Sequence, residues 1–221
     1  MCGRFTITLE PGEFQAELDL GDLPSDFVPR YNVAPTQNVA VSRDNASHKV
    51  EWMRWGLVPS WAKDPTIGVR MINARAETLL EKPSFRQAFQ KRRCLILADG
   101  FYEWQKFTGK QPSIPHYFKL KEKKAFFFAG LWDQWQSAEG EKLTTCTIIT
   151  GEPNDLVRPV HDRMPVIFDR KSAWAWLDPT AQGPALQSML KPYPASEMDC
   201  YPVSTLVNQA AIETPQLIQR L

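Results

Sequence analysis

Polar and apolar positions alternate over residues 3–8, which predicts a strand close to the N-terminus. Over residues 10–20 the spacing changes, because Phe14 and Leu18 stand one helical turn apart and predict a short helix with a single apolar face. Gly21, Pro24 and Pro29 then break the chain into a loop. Residues 38–41 and 50–55 read as two strands, with Asn45 and Ser47 in the turn between them. The Trp- and Pro-rich segment 55–65 has no period and reads as an irregular aromatic loop. Phe85, Ala88 and Phe89 fall on one face of a helix that Ser84 is placed to cap. At the far end of that helix, Lys91-Arg92-Arg93 stand where its dipole favours cations, as a solvated terminus. Residues 94–98, 116–120, 125–131, 143–150 and 165–168 are further strand candidates, and helical spacing returns around 171–177 and 185–190.

Strands outnumber helices in this order and do not alternate with them, which argues against a doubly wound parallel sheet. The pattern predicts one α+β domain over residues 2–221, predominantly antiparallel or mixed β, with short flanking helices. The composition agrees: 221 residues, 43% of them hydrophobic, suffice for a core without disulfide staples, and 18 prolines against 11 glycines favour short elements and sharp connections. Lys and Arg number 26 against 25 Asp and Glu, a net charge of +1, so any anionic partner must be met by a local cluster. No apolar run reaches the roughly 18 residues of a membrane span, and the first residues lack the basic and apolar regions of a signal peptide. Cys2, Cys94, Cys146 and Cys200 form no CxxC pair and no Cys/His ligand spacing, so neither a metal nor a disulfide framework is expected. Cys94 and Cys146 lie in apolar runs and are expected to be inert core thiols. The expectation is a reduced, cytoplasmic monomer without cofactor, nucleoid-associated if bacterial.

The most unusual placement is Cys2. Trimming of the initiator Met would leave a cysteine whose α-amine and thiol sit on adjacent carbons. The amine, with a reference pKa of about 7.7–8.0, is partly neutral near pH 7, and the thiolate is the stronger nucleophile. A 1,2-aminothiol reacts with an aldehyde in a specific way: the amine forms an imine and the thiol closes on the same carbon as a five-membered thiazolidine. The competing reading is an incidental cysteine in a frayed tail, which the strand-like GRF that follows weakens.

Four polar islands interrupt the apolar segments: RYNVAPTQ with Asn32 and Pro35, MINARAET with Asn73, Arg75 and Glu77, ADGFYEW with Glu103, and PVHDRMP with His161, Asp162 and Arg163. Glu103 stands between Tyr102 and Trp104, where desolvation raises a carboxyl pKa into the range of general acid–base work; it reads equally as a strand glutamate facing water. His161 reads as a proton shuttle or as a hydrogen-bonded loop histidine. His48 and His116 read as structural. Arg4, Arg75 and Arg163 each lie near a candidate reactive position and together suggest phosphate or carboxylate ligation. Trp61 is a candidate to stack on a base, or to pack on the core.

Taken together, MCGRF, RYNVAPTQ, WGLVPSWAKD, INARAET, ADGFYEW, PVHDRMPVI and PVSTLVN follow the order found in the SRAP domain family (SOS response-associated peptidase), which the chain resembles from residue 2 to about 218. The resemblance implies a barrel-like sheet core and a sensor of abasic sites in single-stranded DNA that shields them through a covalent protein–DNA crosslink. It also implies abasic-site lyase and self-processing peptidase activities. Carried over by motif, Cys2 is the nucleophile and Asn73, Glu103 and His161 complete the active site, while Arg4, Asn32, Pro35, Trp61, Arg75, Thr150 and Arg163 match segments that line the DNA groove. Leu97 stands where the family often has proline, and Ala62 leaves a single aromatic in its loop. Two other classes remain open at this point. One is an N-terminal-nucleophile amide hydrolase with a Cys2 thioester, and the other a non-catalytic single-strand binding module in which Cys2 is incidental.

Overall fold

In the computed structural model, which describes residues 2–109, 111–122 and 124–221, the alternating N-terminal segment forms strand β1 (Phe5–Ile7) and the first helical pattern forms α1 (Pro11–Leu18). Pro11 presets φ for the first turn, Glu13 accepts the Glu10 N–H, and Phe14 and Leu18 are the buried pair. There follow β2 (Arg30–Val33), β3 (Asn38–Ser42), β4 (Val50–Trp55), β5 (Asn73–Arg75) and the helix α2 (Pro83–Lys91). The β-rich middle consists of β6 (Arg93–Ala98), β7 (Gly100–Gln105), β8 (Ile114–Leu120), β9 (Phe126–Gln136) and β10 (Lys142–Gly151). The chain ends through β11 (Met164–Pro165), β12 (Ile167–Phe168), α3 (Arg170–Trp176), α4 (Gly183–Met189) and β13 (Met198–Pro202).

Five strands close on themselves. β10 pairs in parallel with β4, and antiparallel pairings then run from β4 to β3, β3 to β6, β6 to β9 and β9 back to β10. Closure leaves these strands no open edge inside the ring. Gly130 breaks the bulky run of β9 because a β-carbon there would stand 2.9 Å from the Cys94 sulfur. Cys94 and Cys146 are fully buried in this core, and burial raises both thiols well above their usual range, as expected of inert residues.

A second, antiparallel sheet in the order β13-β8-β7-β1-β2 lies against the barrel. Aromatic rings join the two: Phe5 meets Trp55 at 5.2 Å and Phe128 at 5.5 Å between centroids, and Phe128 also meets Phe101 at 6.1 Å and Phe126 at 5.3 Å. Phe128→Ala is therefore expected to lower unfolding stability by about 3–5 kcal/mol. Urea denaturation measures it, and a loss below about 1 kcal/mol would mean that the seam repacks.

Three local expectations need correction. Pro83 starts α2 one residue earlier than Ser84 requires, so Lys82 occupies the cap position and no side chain caps the helix. The basic run is not a solvated terminus, because only Lys91 is exposed. The Arg93 guanidinium is buried and donates to the carbonyls of Phe89, Gln90, Trp176 and Asp178 at 2.7–3.2 Å, while Arg92 pairs with Asp133 at 3.2 Å. Lastly, the strand expected over residues 165–168 is divided into β11 and β12 around Val166. The two histidines read as structural are held: His48 stacks on Trp174 at 3.6 Å between centroids, and His116 Nδ1 lies 3.1 Å from the Ile114 carbonyl.

Candidate active site

The seating of Cys2 depends on both sheets. β1 runs antiparallel to β7, with Phe5 opposite Phe101 and Thr6 opposite Gly100, so the residues before Phe5 run alongside Glu103. β5 lies parallel to β10, with Asn73 opposite Ile148, which carries the Asn73 amide to the N-terminus. There Asn73 Nδ2 donates to the Cys2 carbonyl at 2.8 Å, and the Cys2 sulfur lies 3.9 Å from the carbonyl of Arg4. Cys2 is fully buried. Burial pushes its thiol well above the usual range, and the neighbouring Glu103 charge adds to the effect, so the sulfur is protonated at rest and needs a base to react. Met1 lies outside the described residues.

Glu103 is buried on β7, and desolvation there raises its carboxyl to about 7. Its Oε2 lies 3.8 Å from Nε2 of His161. Two groups compete for the other ring nitrogen of His161: the Arg163 N–H and the exposed Asp162 carboxylate, each 3.0 Å from Nδ1. The first needs a lone pair on Nδ1, the second a proton. Burial lowers the His161 pKa and favours the neutral ring. Nδ1 then accepts from Arg163, and the proton sits on Nε2, facing Glu103. The loop that presents His161 is held by Asn154, which donates to the Tyr193 carbonyl at 2.7 Å and accepts the Leu156 and Val157 N–H groups.

Beside this cluster runs an open groove of about 770 Å³, lined by Arg75, Lys106, Arg158, His161 and Arg163, with Glu152 and Asp162 as its carboxylates. Arg163 is fixed in position: both its terminal nitrogens reach Glu77 at 2.8 and 2.9 Å, and one also donates to the Thr150 carbonyl at 2.6 Å. Thr150 is fully buried, and its hydroxyl oxygen has no hydrogen-bond partner among the described residues. Arg75 is exposed. Arg4 and Asn32 do not line the groove. The Arg4 guanidinium donates to Asn32 Oδ1 and to the Val207 carbonyl, both at 2.6 Å, and the Asn32 amide donates to Gln209 and Ile212 carbonyls at 2.9 and 3.0 Å. Pro35 is half-buried in the turn after β2. Trp61 is 59% exposed, on a loop tied down by Trp135 Nε1 to the Ala62 carbonyl at 2.7 Å and by the Ser60 N–H to Asp133 at 3.0 Å. Lys106 and Arg158 gave no signal in the sequence, since each is a lone cation, Arg158 with apolar residues on both sides, and only the fold brings them together.

The profile of the SOS response associated peptidase (SRAP) family matches residues 1–210. The chain belongs to this family. Among SRAP relatives, "Abasic site processing protein YoqW" of Bacillus subtilis (strain 168) is 47% identical over 223 residues, covering 99% of both chains. "Abasic site processing protein HMCES" of Xenopus tropicalis is 31% identical over 259 residues, covering 98% of this chain and 77% of that protein. The crystal structure of a protein from Bacteroides thetaiotaomicron superposes with a TM-score of 0.88 at 28% identity, covering 100% of both chains.

Proposed function

We propose that this SRAP protein processes abasic sites in single-stranded DNA by bonding Cys2 to the sugar aldehyde. The observation that carries the reading is the convergence of Cys2, Asn73, Glu103 and His161, contributed by four separate segments, beside a groove with four cations. Relatives named for abasic-site processing, one of them matched end to end at 47% identity, support the substrate class.

An abasic deoxyribose is mostly a closed hemiacetal, and its open form carries the C1′ aldehyde. With Met1 removed, the Cys2 amine attacks C1′ to give a carbinolamine. Glu103, protonated near neutral pH, delivers a proton to the ring oxygen during opening and to the carbinolamine hydroxyl during loss of water. His161, with its Nε2 proton toward Glu103, assists these transfers. Asn73 orients the Cys2 backbone and the attacking amine. The thiol gives its proton to the imine nitrogen and its sulfur to C1′, closing the thiazolidine, so one water leaves overall. Where the imine persists instead, β-elimination breaks the strand and the same site acts as a lyase. Arg75, Arg163, Lys106 and Arg158 hold flanking phosphates, and Arg4 and Asn32 act from below by fixing the loop at Val207.

Denaturing mass spectrometry of the N-terminal peptide after incubation with an abasic oligonucleotide tests the reading. A DNA-sized mass on Cys2 is expected. A thioester to an amide substrate would favour the hydrolase, and affinity without any bond that survives denaturation would favour a plain binding module. A further expectation concerns Lys106→Ala combined with Arg158→Ala. It should weaken binding equally across sequences and flatten the dependence of log Kd on log salt by about 1.4, at about 0.7 per lost phosphate contact. An unchanged slope in fluorescence-anisotropy titrations would place the strand elsewhere.

A further inference from the structure

Asp99 lies between β6 and β7, buried, and the chemistry above does not use it. Its carboxylate accepts from four donors that all belong to β1 and the residues just after it: the Thr6 hydroxyl at 2.5 Å, the Thr8 N–H, the Thr8 hydroxyl at 2.8 Å and the Leu9 N–H at 3.1 Å. Its own N–H donates to the Thr6 carbonyl at 3.1 Å. Tyr117 OH stands 2.9 Å from the Thr6 hydroxyl on the far side. A β-carbon on Gly100 would lie 2.1 Å from that phenol oxygen, so glycine beside Asp99 is what lets the tyrosine reach in.

Such an arrangement matters because β1 is only three residues long. It pairs with β7 at Phe5–Phe101 and Thr6–Gly100, and its register on β2 is irregular. The Tyr102 N–H reaches the Arg4 carbonyl at 3.0 Å, which continues the same register and sets Gly3 opposite Glu103. Slipping a strand by one residue turns every side chain to the opposite face, and here it would carry Cys2 away from Glu103 and Asn73. A ladder this short fixes its own register poorly. A buried group that only accepts, and takes all four donors at once, fixes it well.

We propose that Asp99 is a positioning residue for the reaction at Cys2: its carboxylate pins the register of β1 on β7 and with it the placement of the nucleophile against Glu103. The inference rests on the proposed Cys2 chemistry. Asp99→Asn keeps the volume but turns an NH2 group toward donors, and Thr6→Val removes one donor from the other partner.

The test is single-turnover crosslinking at saturating abasic single strand, with binding measured separately on a tetrahydrofuran strand that has no aldehyde. The expected result for Asp99→Asn is a rate constant lower by about a hundredfold, the cost of misplacing a reacting group by about 1 Å, with Kd unchanged within about twofold. Thr6→Val should give a smaller drop of the same kind. A role in stability alone would lower the amplitude, through the folded fraction, and leave the rate constant intact; that outcome overturns the clamp. Should Asp99→Asn not fold, Thr6→Val decides, and a wild-type rate constant there also overturns it. A wild-type protein that forms no Cys2 adduct removes the proposed chemistry and the clamp together. A wild-type adduct with unchanged variant rates removes the clamp alone.

Discussion

Cys2→Ser is expected to leave no heat-stable adduct on abasic DNA. Serine at the same position keeps the α-amine, so imine formation with the C1′ aldehyde is retained, but a hydroxyl closes on the imine far less favourably than a thiol and the ring it forms reopens. The variant is therefore expected to yield adducts only after borohydride reduction, together with more β-elimination product than the wild type, because its imine is no longer trapped. Denaturing gels with and without borohydride separate the two states. A heat-stable adduct without reductant would defeat the thiazolidine mechanism.

Glu103→Gln is expected to slow crosslinking by about 10²- to 10⁴-fold, the usual worth of a general acid or base, with DNA affinity nearly unchanged. The pH profile distinguishes this loss from a packing defect. In the wild type the acid form of Glu103 declines as pH rises through about 7, while the Cys2 amine, with a reference pKa of about 7.7–8.0, gains its nucleophilic form over the same range. The result is a bell with its maximum near neutrality. Glutamine removes the alkaline limb and leaves only the rise. Equal losses of rate and affinity would assign Glu103 to binding instead.

The same carboxyl is held at a cost to the fold. Its native pKa is raised from 4.5 to about 7, so the folded state binds its proton more tightly than the unfolded chain does. Stability from this group is complete below pH 4.5 and is lost as pH rises to about 7, on the order of 3 kcal/mol. Glu103→Gln should accordingly unfold at higher urea than the wild type at pH 8 and show little difference at pH 4.

Much of this was legible in the chain. The barrel strands are bulky and apolar, and their pattern located β3, β4, β6, β9 and β10. Of the strands around the site, the pattern shows β1 and β10 but not β2, β5 or β7, the last of which carries Glu103. β2 (RYNV) and β5 (NAR) are short, polar and irregular as sequences; they are strands because β1 and β10 offer them partners. The raised pKa of Glu103 comes from its own burial; its aromatic neighbours Tyr102 and Trp104 pack in a separate apolar cluster on the other face of β7, so the sequence pointed to the right residue for a different reason. Other features depend on residues far apart in sequence. Examples are the pairing of Arg163 with Glu77, the use of Arg93 as an internal donor to four carbonyls, and the addition of Lys106 and Arg158 to one groove.

The tie between Arg4 and the Val207 carbonyl spans 203 residues. Tyr31 and Asn32 N–H groups on the neighbouring strand are likewise held by the Glu213 carboxylate, at 2.7 and 3.0 Å. The C-terminal tail is thus a brace for the first two strands: cutting the chain before Val207 would remove the carbonyls that hold Arg4 and Asn32 and the carboxylate that holds the backbone of β2, and so loosen from a distance the strand that seats Cys2.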